Sequence, residues 1–282
     1  MTAYAIKTIL CIALFLGNTA VTMIDGEKYT TLYLLMRTAG AMSVPIACFF
    51  LVEGFYHTSS KKKYFVRLFL CSLIAELPFL FCSLNGLRRL VGVLEREFGE
   101  GTMPSADIMK QLAEKIKDER ILYYSDLYNS TARYAVCGLM GISMMLLVLM
   151  LLDRLREKYF ETSKLKFGIL SSLLLLGALV MLVIIPFENP LPILFFTSVF
   201  YFLRGNRAGI AVMSVMLVSF FYLDAGLMIS MGPILGVLLC FTYNGRQSNK
   251  TDNKENLKFY NKVFYVIYPL QYMILFAAIS FV

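Results

Sequence analysis

The sequence predicts an all-α, polytopic transmembrane helix bundle, and three observations carry that prediction. The 282 residues are 58% hydrophobic and 16% charged, against roughly 45–50% and about 25% in soluble domains. The apolar residues gather into about nine runs, most of them near the roughly 20 residues a membrane crossing needs: 4–24, 30–56, 64–84, 134–152, 167–187, 190–203, 208–223, 225–243 and 259–282. Lys and Arg concentrate in alternate connections between those runs, as they do in cytoplasmic loops.

The run at 4–24 has no strong basic region before it and holds Lys7, so it reads as a first span rather than a cleaved signal peptide. The run at 30–56 contains Arg37 and Glu53, and the run at 64–84 contains Glu76 followed by Pro78. The sixth is short, with Pro190 and Pro192 at its start. A cytoplasmic N-terminus makes the turns at 57–67, 153–166, 204–207 and 244–262 cytoplasmic, and they carry 4, 5, 2 and 5 basic residues. With Lys7 that side then holds 17 basic and 5 acidic residues, and the other side 9 basic and 12 acidic, among the acids Asp25, Glu27, Glu188 and Asp224. The consistent arrangement is nine spans, N-in and C-out. The net charge of +8 follows from this topology, so nucleic acid is not the expected partner; the lipid bilayer is.

The chain forms a single transmembrane domain, 1–282, interrupted by an extracytoplasmic insert at 85–133. Leu87, Leu90, Val91, Leu94 and Phe98 recur at helical spacing. After Pro104, Ser105 is placed to cap a second run whose Ile108, Met109, Leu112 and Ile116 share a face. Two amphipathic helices are predicted, either lying on the bilayer surface, covering the bundle, or docking a membrane or cell-surface protein through 85–126. Gly232 and Gly236 form a GxxxG pair, which allows close helix contact.

Ionisable groups inside apolar runs are the candidate functional residues, because a charge in hydrocarbon requires a partner or a role. Glu53 and His57, the chain's one histidine, lie four residues apart and so share a helix face. A carboxylate beside an imidazole is the arrangement a general base requires, and it is also a way of closing a helix end near Lys61, Lys62 and Lys63. Glu76 lies about 12 residues into its run, about 18 Å from the end, with Arg37 as its obvious counter-charge. That pair is either a structural brace or part of a binding site. Pro78 disturbs the helix beside Glu76, so Glu76 is expected to face the bundle interior. The six cysteines form no CxxC pair and read as small core residues. With one histidine and no clustered thiols, no metal site is expected. Phosphate-binding Gly-rich loops and the GxSxG nucleophile motif are also absent.

The segment FFLVEGFYHT at 49–58, followed by KKKYFVRLFLCSLIAELPF at 61–79, resembles the hallmark of the TraX family, in which an FxFLLVEGFxHT element precedes a basic turn, a YLxRL element and a SEIPF-like element. A second likeness joins the family's YNG turn and YPLH element to Tyr243, Asn244, Gly245 and to Tyr268, Pro269, Leu270, Gln271. The resemblance implies a multi-pass protein of the bacterial cytoplasmic membrane, conjugation-related, that moves an acetyl group from acetyl-CoA to a membrane-associated acceptor. It further implies catalytic roles for His57 as base and Glu53 as its orienting carboxylate. Lys61, Lys62, Lys63 and Arg67 would attract the cofactor's phosphates, and Arg37, Glu76, Asn18 and Gln271 would line the pocket. The chain departs from the family at Gly17 and Asn18, where an Asp-His pair is usual, and at Gln271, where a histidine is usual. Neither Asn nor Gln shuttles a proton at neutral pH, so the alternative implied is a catalytically degenerate member that serves as a membrane scaffold or complex subunit.

Overall fold

The computed structural model describes residues 1–116, 120, 123–125, 128, 136–185, 187–223, 226–245 and 254–280, with backbone alone for 254–264. Those residues form α1 (Ala3–Met23), α2 (Thr30–Ala41), α3 (Ser43–His57), α4 (Lys61–Phe98), α5 (Ala106–Lys115), α6 (Gly138–Tyr159), α7 (Lys164–Ile184), α8 (Pro190–Phe202), α9 (Arg207–Phe221), α10 (Leu227–Phe241) and α11 (Lys254–Ser280). Apart from one isolated bridge, Val136 to Phe187, the described residues contain no β-structure. Among the described residues, five helices are long and apolar enough to cross a membrane: 3–23, 30–57 taken as one, 61–98, 138–159 and 164–184. The apolar stretches at 190–202, 207–222, 227–241 and 265–280 are shorter. The described residues therefore form an all-helical bundle of the kind embedded in a membrane.

Two elements differ from the pattern of apolar runs. The run 30–56 is two helices that meet at Met42, because Pro45 has no N–H to give the Ala41 carbonyl and its ring crowds that oxygen. The third run does not stop at residue 84. α4 continues for 38 residues, through Pro78, to Phe98, where Gly99 ends it at φ 103°, so the first helix expected in the insert is the far half of α4. Its hydrophobic face explains the continuity, since Leu90 and Leu94 are fully buried in a cluster with Ala20, Tyr33, Leu112, Tyr123 and Tyr124. The second insert helix, α5, starts at Ser105 as expected, with the Ser105 Oγ accepting from Ile108 N–H at 3.3 Å. Glu27, in the α1–α2 turn, accepts from Arg120 at 3.2 Å and from the Tyr124 hydroxyl at 3.1 Å. The described part of the segment thus packs against the α1–α2 end of the bundle.

Glycines bring the central helices together. A Cβ on Gly17 would lie 2.6 Å from the Gly40 Cα, so α1 and α2 touch backbone to backbone. The GxxxG pair is used in the same way. Gly232 abuts the Thr38 carbonyl, and a Cβ on Gly236 would come within 2.6 Å of the Met42 carbonyl, which seats α10 on the α2–α3 bend. α3 sits in the middle, packed against α1, α6, α8 and α10, while α11 packs along α4 and α1. All six cysteines are free thiols.

Candidate functional site

Between these helices lies a cavity of about 410 Å³. It borders α3 from Ser43 to Thr58, a rise of roughly 22 Å for fifteen residues, so it runs along most of the helix rather than indenting one end. Leu10, Leu14, Val44, Ala47, Leu51 and Ile142 give it an apolar middle, and polar groups collect at both ends.

One end is built by α1, α3 and the start of α4. The 3.6-residue period sets Glu53 and His57 on one face of α3, and His57 Nε2 lies 3.1 Å from Glu53 Oε2. The other Glu53 oxygen is 3.4 Å from Arg204 Nη2, and the Arg204 guanidinium covers the Tyr56 ring at 3.9 Å. Glu53 is thereby fixed between the His57 and Arg204 donors, with its side chain 16% exposed, whereas that of His57 is 58% exposed. Arg67, Lys7 and Tyr243 complete this end of the wall. With Nε2 donating to Glu53, Nδ1 is the ring nitrogen left with a lone pair to accept a proton.

The other end is organised by the N-terminus of α6, whose first N–H groups have no helical partner. Three side chains from separate elements take them in succession. Cys137 N–H donates to Glu76 Oε2 at 3.2 Å, Gly138 N–H to Glu188 Oε2 at 3.2 Å, and Leu139 N–H to the Tyr268 hydroxyl at 3.3 Å. The Glu188 N–H in turn donates to the Val136 carbonyl at 2.9 Å. Carboxylates suit this place because the helix dipole is positive there. Burial nonetheless pushes the Glu188 carboxyl above the ordinary carboxylate range, against the Gly138 hydrogen bond and the Arg37 charge, with the neighbouring Glu76 adding to the rise. Glu188, Asn189, Tyr268 and Gln271 line the cavity at this end.

Of the residues singled out in the sequence, Glu53, His57, Arg67 and Gln271 therefore share one cavity. Lys61, Lys62, Lys63, Glu76, Arg37 and Asn18 are not part of its wall. Lys61 is paired with Asp153 and stands over the Phe55 ring, while Lys62 and Lys63 are exposed beside it. Glu76 faces the bundle, as expected, but its carboxylate is engaged in capping α6. Arg37 acts electrostatically on Glu188. Asn18 is half-buried, its Nδ2 without an acceptor among the described residues. Among the described residues, no group of three or more His, Cys, Asp and Glu could hold a metal ion. Two wall residues had a different meaning in the sequence: Lys7 was a topology marker and Glu188 an outer-loop charge. Glu188 is the single acidic residue between Glu161 and Asp224, a signal that could have marked it.

Among curated proteins, the chain is similar to the probable fimbrial assembly protein FimC, serogroup H1, of Dichelobacter nodosus, at 36% identity over 77 residues. The aligned part is 27% of this chain and 30% of the relative, so the match spans less than a third of either protein. The likeness is to a protein named for a role in pilus assembly. No protein-family profile matches the chain, and no solved structure matches it.

Proposed function

We propose that the chain is a TraX-like membrane acetyltransferase that takes an acetyl group from acetyl-CoA and delivers it to a membrane-associated acceptor. The observation that carries this reading is the single cavity shared by the Glu53–His57 pair, Arg67 and Gln271. Arg67 and Lys7 supply positive charge for phosphates at the Glu53–His57 end, and the apolar middle accommodates a thioester arm that doubles back to bring its carbonyl to His57. His57 Nδ1 accepts the proton of the attacking amine or hydroxyl as the new bond to the acetyl carbon forms. The C–S bond of the thioester then breaks, and the thiolate leaves and takes up a proton. Glu53, anchored by Arg204, holds the imidazole in the orientation and tautomer this needs.

In this reading the chain crosses a bacterial cytoplasmic membrane nine times, N-in and C-out, with the His57 end facing the cytoplasm, where acetyl-CoA is made, and 85–133 outside. The FimC likeness suggests an acceptor among proteins of the pilus or conjugation apparatus. Equilibrium dialysis of coenzyme A against the purified full-length protein in lipid nanodiscs tests the reading. Saturable binding that weakens in Arg67→Ala supports it, and no binding contradicts it.

The relative's name also favours a second reading, in which the chain is a non-catalytic subunit of a pilus-assembly complex that docks a partner through 85–126. A stoichiometric protein partner that is lost on altering this segment, together with no coenzyme A binding, selects that reading.

A further inference from the structure

Gln271 is 3% exposed, forms part of the cavity wall, and has no hydrogen-bond partner among the described residues for either Nε2 or Oε1. A buried amide in that condition is costly to the fold. Its neighbours on the wall are otherwise occupied: the Tyr268 hydroxyl takes Leu139 N–H and Glu188 Oε2 takes Gly138 N–H. We propose that Gln271 is a recognition residue for an amide chain, that is, a ligand with successive amides whose N–H donates to Oε1 and whose neighbouring carbonyl accepts from Nε2.

The chemistry of the wall selects this class. A side-chain carboxamide presents one acceptor and one donor edge side by side. A carboxylate would meet Nε2 but repel Oε1 and the adjacent Glu188, and an ammonium would meet Oε1 but leave Nε2 without an acceptor. One hydroxyl cannot meet both atoms at good angles. Arg67 and Tyr265 share the cavity wall, and Tyr265 lies six residues and about 9 Å along α11 from Gln271. The apolar stretch beyond, with Leu51 and Leu68 on its wall, admits the methylene portions of a long molecule. Two sources offer successive amides on such a chain: the pantetheine arm of a coenzyme A thioester and the backbone of a peptide acceptor. The first source rests on the acetyltransferase reading; the second does not.

The test measures coenzyme A, adenosine 3′,5′-bisphosphate and trialanine binding to the full chain in nanodiscs, for wild type and Gln271→Leu. Loss of a paired amide contact in a site built for it is expected to weaken coenzyme A about tenfold or more, with less than about twofold change for the bisphosphate, which has no amide arm. Because an unpartnered buried amide is removed, the unliganded Gln271→Leu protein should unfold at the same or a higher temperature. If coenzyme A fails to bind wild type while trialanine binds and is weakened by Gln271→Leu, the inference stands and the acetyltransferase reading falls. If Gln271→Leu binds coenzyme A and trialanine as wild type does, or neither probe binds wild type, the inference is overturned. Gln271→Met is a second isosteric variant. A fall in unfolding temperature in both variants would show that the amide holds the bundle, and overturns the inference as well.

Discussion

Arg204 Nη2 lies 3.4 Å from Glu53 Oε1, on the same carboxylate whose other oxygen faces His57 Nε2 at 3.1 Å. The imidazole is thus oriented by an acid that is itself held from an adjacent element, the turn after α8. Arg204→Ala should leave the fold intact, costing below about 1 kcal/mol because the guanidinium is 39% exposed. It should lower acetyl transfer by a factor nearer ten than a thousand, and Glu53→Gln should do the same or more. Steady-state rates beside a thermal unfolding curve for each variant check both statements.

The basic turn and the cavity wall make separable contributions. Lys61 is spent on Asp153, and none of Lys61, Lys62 and Lys63 is part of the wall, whereas Arg67 and Lys7 are. Replacing the three turn lysines together by Ala should change coenzyme A affinity by less than about threefold, and Arg67→Ala alone by about tenfold, as expected for loss of a direct charge-assisted contact. Dialysis at one fixed ionic strength distinguishes them.

Glu188 makes stability depend on pH. Burial raises its carboxyl above the ordinary range in the folded state, so the folded protein binds that proton more tightly than the unfolded chain does. The contribution is fully present below the ordinary carboxylate pKa and is lost as pH rises through the raised value. Glu188→Gln, which keeps the acceptor for Gly138 N–H, should flatten that decline. Unfolding temperatures in detergent across acidic to neutral pH would show the difference between the two curves.

Close helix contacts account for the glycines. Gly17→Val would drive a side chain into the Gly40 backbone, and Gly236→Val into the Met42 carbonyl and Pro45. Each should destabilise the bundle by about 1–3 kcal/mol. Gly92→Val, with nothing within 4 Å of the added Cβ, is the control, and the comparison is made by thermal unfolding in one detergent.

Much of the helical plan was legible in the sequence because apolar runs and their breakers act locally. Ser105 as a cap, the GxxxG contact and the shared face of Glu53 and His57 each follow from spacing along one helix. What was not legible depends on contacts between distant segments. The continuation of α4 to Phe98 is decided by burial of Leu90 and Leu94 against Tyr33 and Tyr124, which no local pattern encodes. Pairing an intramembrane Arg with the acid in the neighbouring run overlooked Glu188, which reaches the α6 N-terminus only because the α7–α8 connection bends back to Val136. Gly17, a departure from the resembled family, is explained by the α1–α2 contact.

The proposed topology has a direct readout. Ser60→Cys, at the α3–α4 turn, should react with a membrane-impermeant maleimide only from the cytoplasmic side, and Ser105→Cys, at the start of α5, only from outside. The reverse sidedness would contradict the N-in arrangement, and labelling of both from one side would contradict the crossing by α4.

The central claim, that the His57 cavity performs acetyl transfer from a thioester, is tested most directly by following free thiol release from acetyl-CoA with purified wild type and His57→Ala in nanodiscs supplied with membrane extract as acceptor. The account predicts turnover by wild type that falls about 10²–10⁴-fold in His57→Ala, with unfolding temperature nearly unchanged because the imidazole is 58% exposed. Equal rates for the two proteins, or no release above the uncatalysed background in wild type, would contradict it.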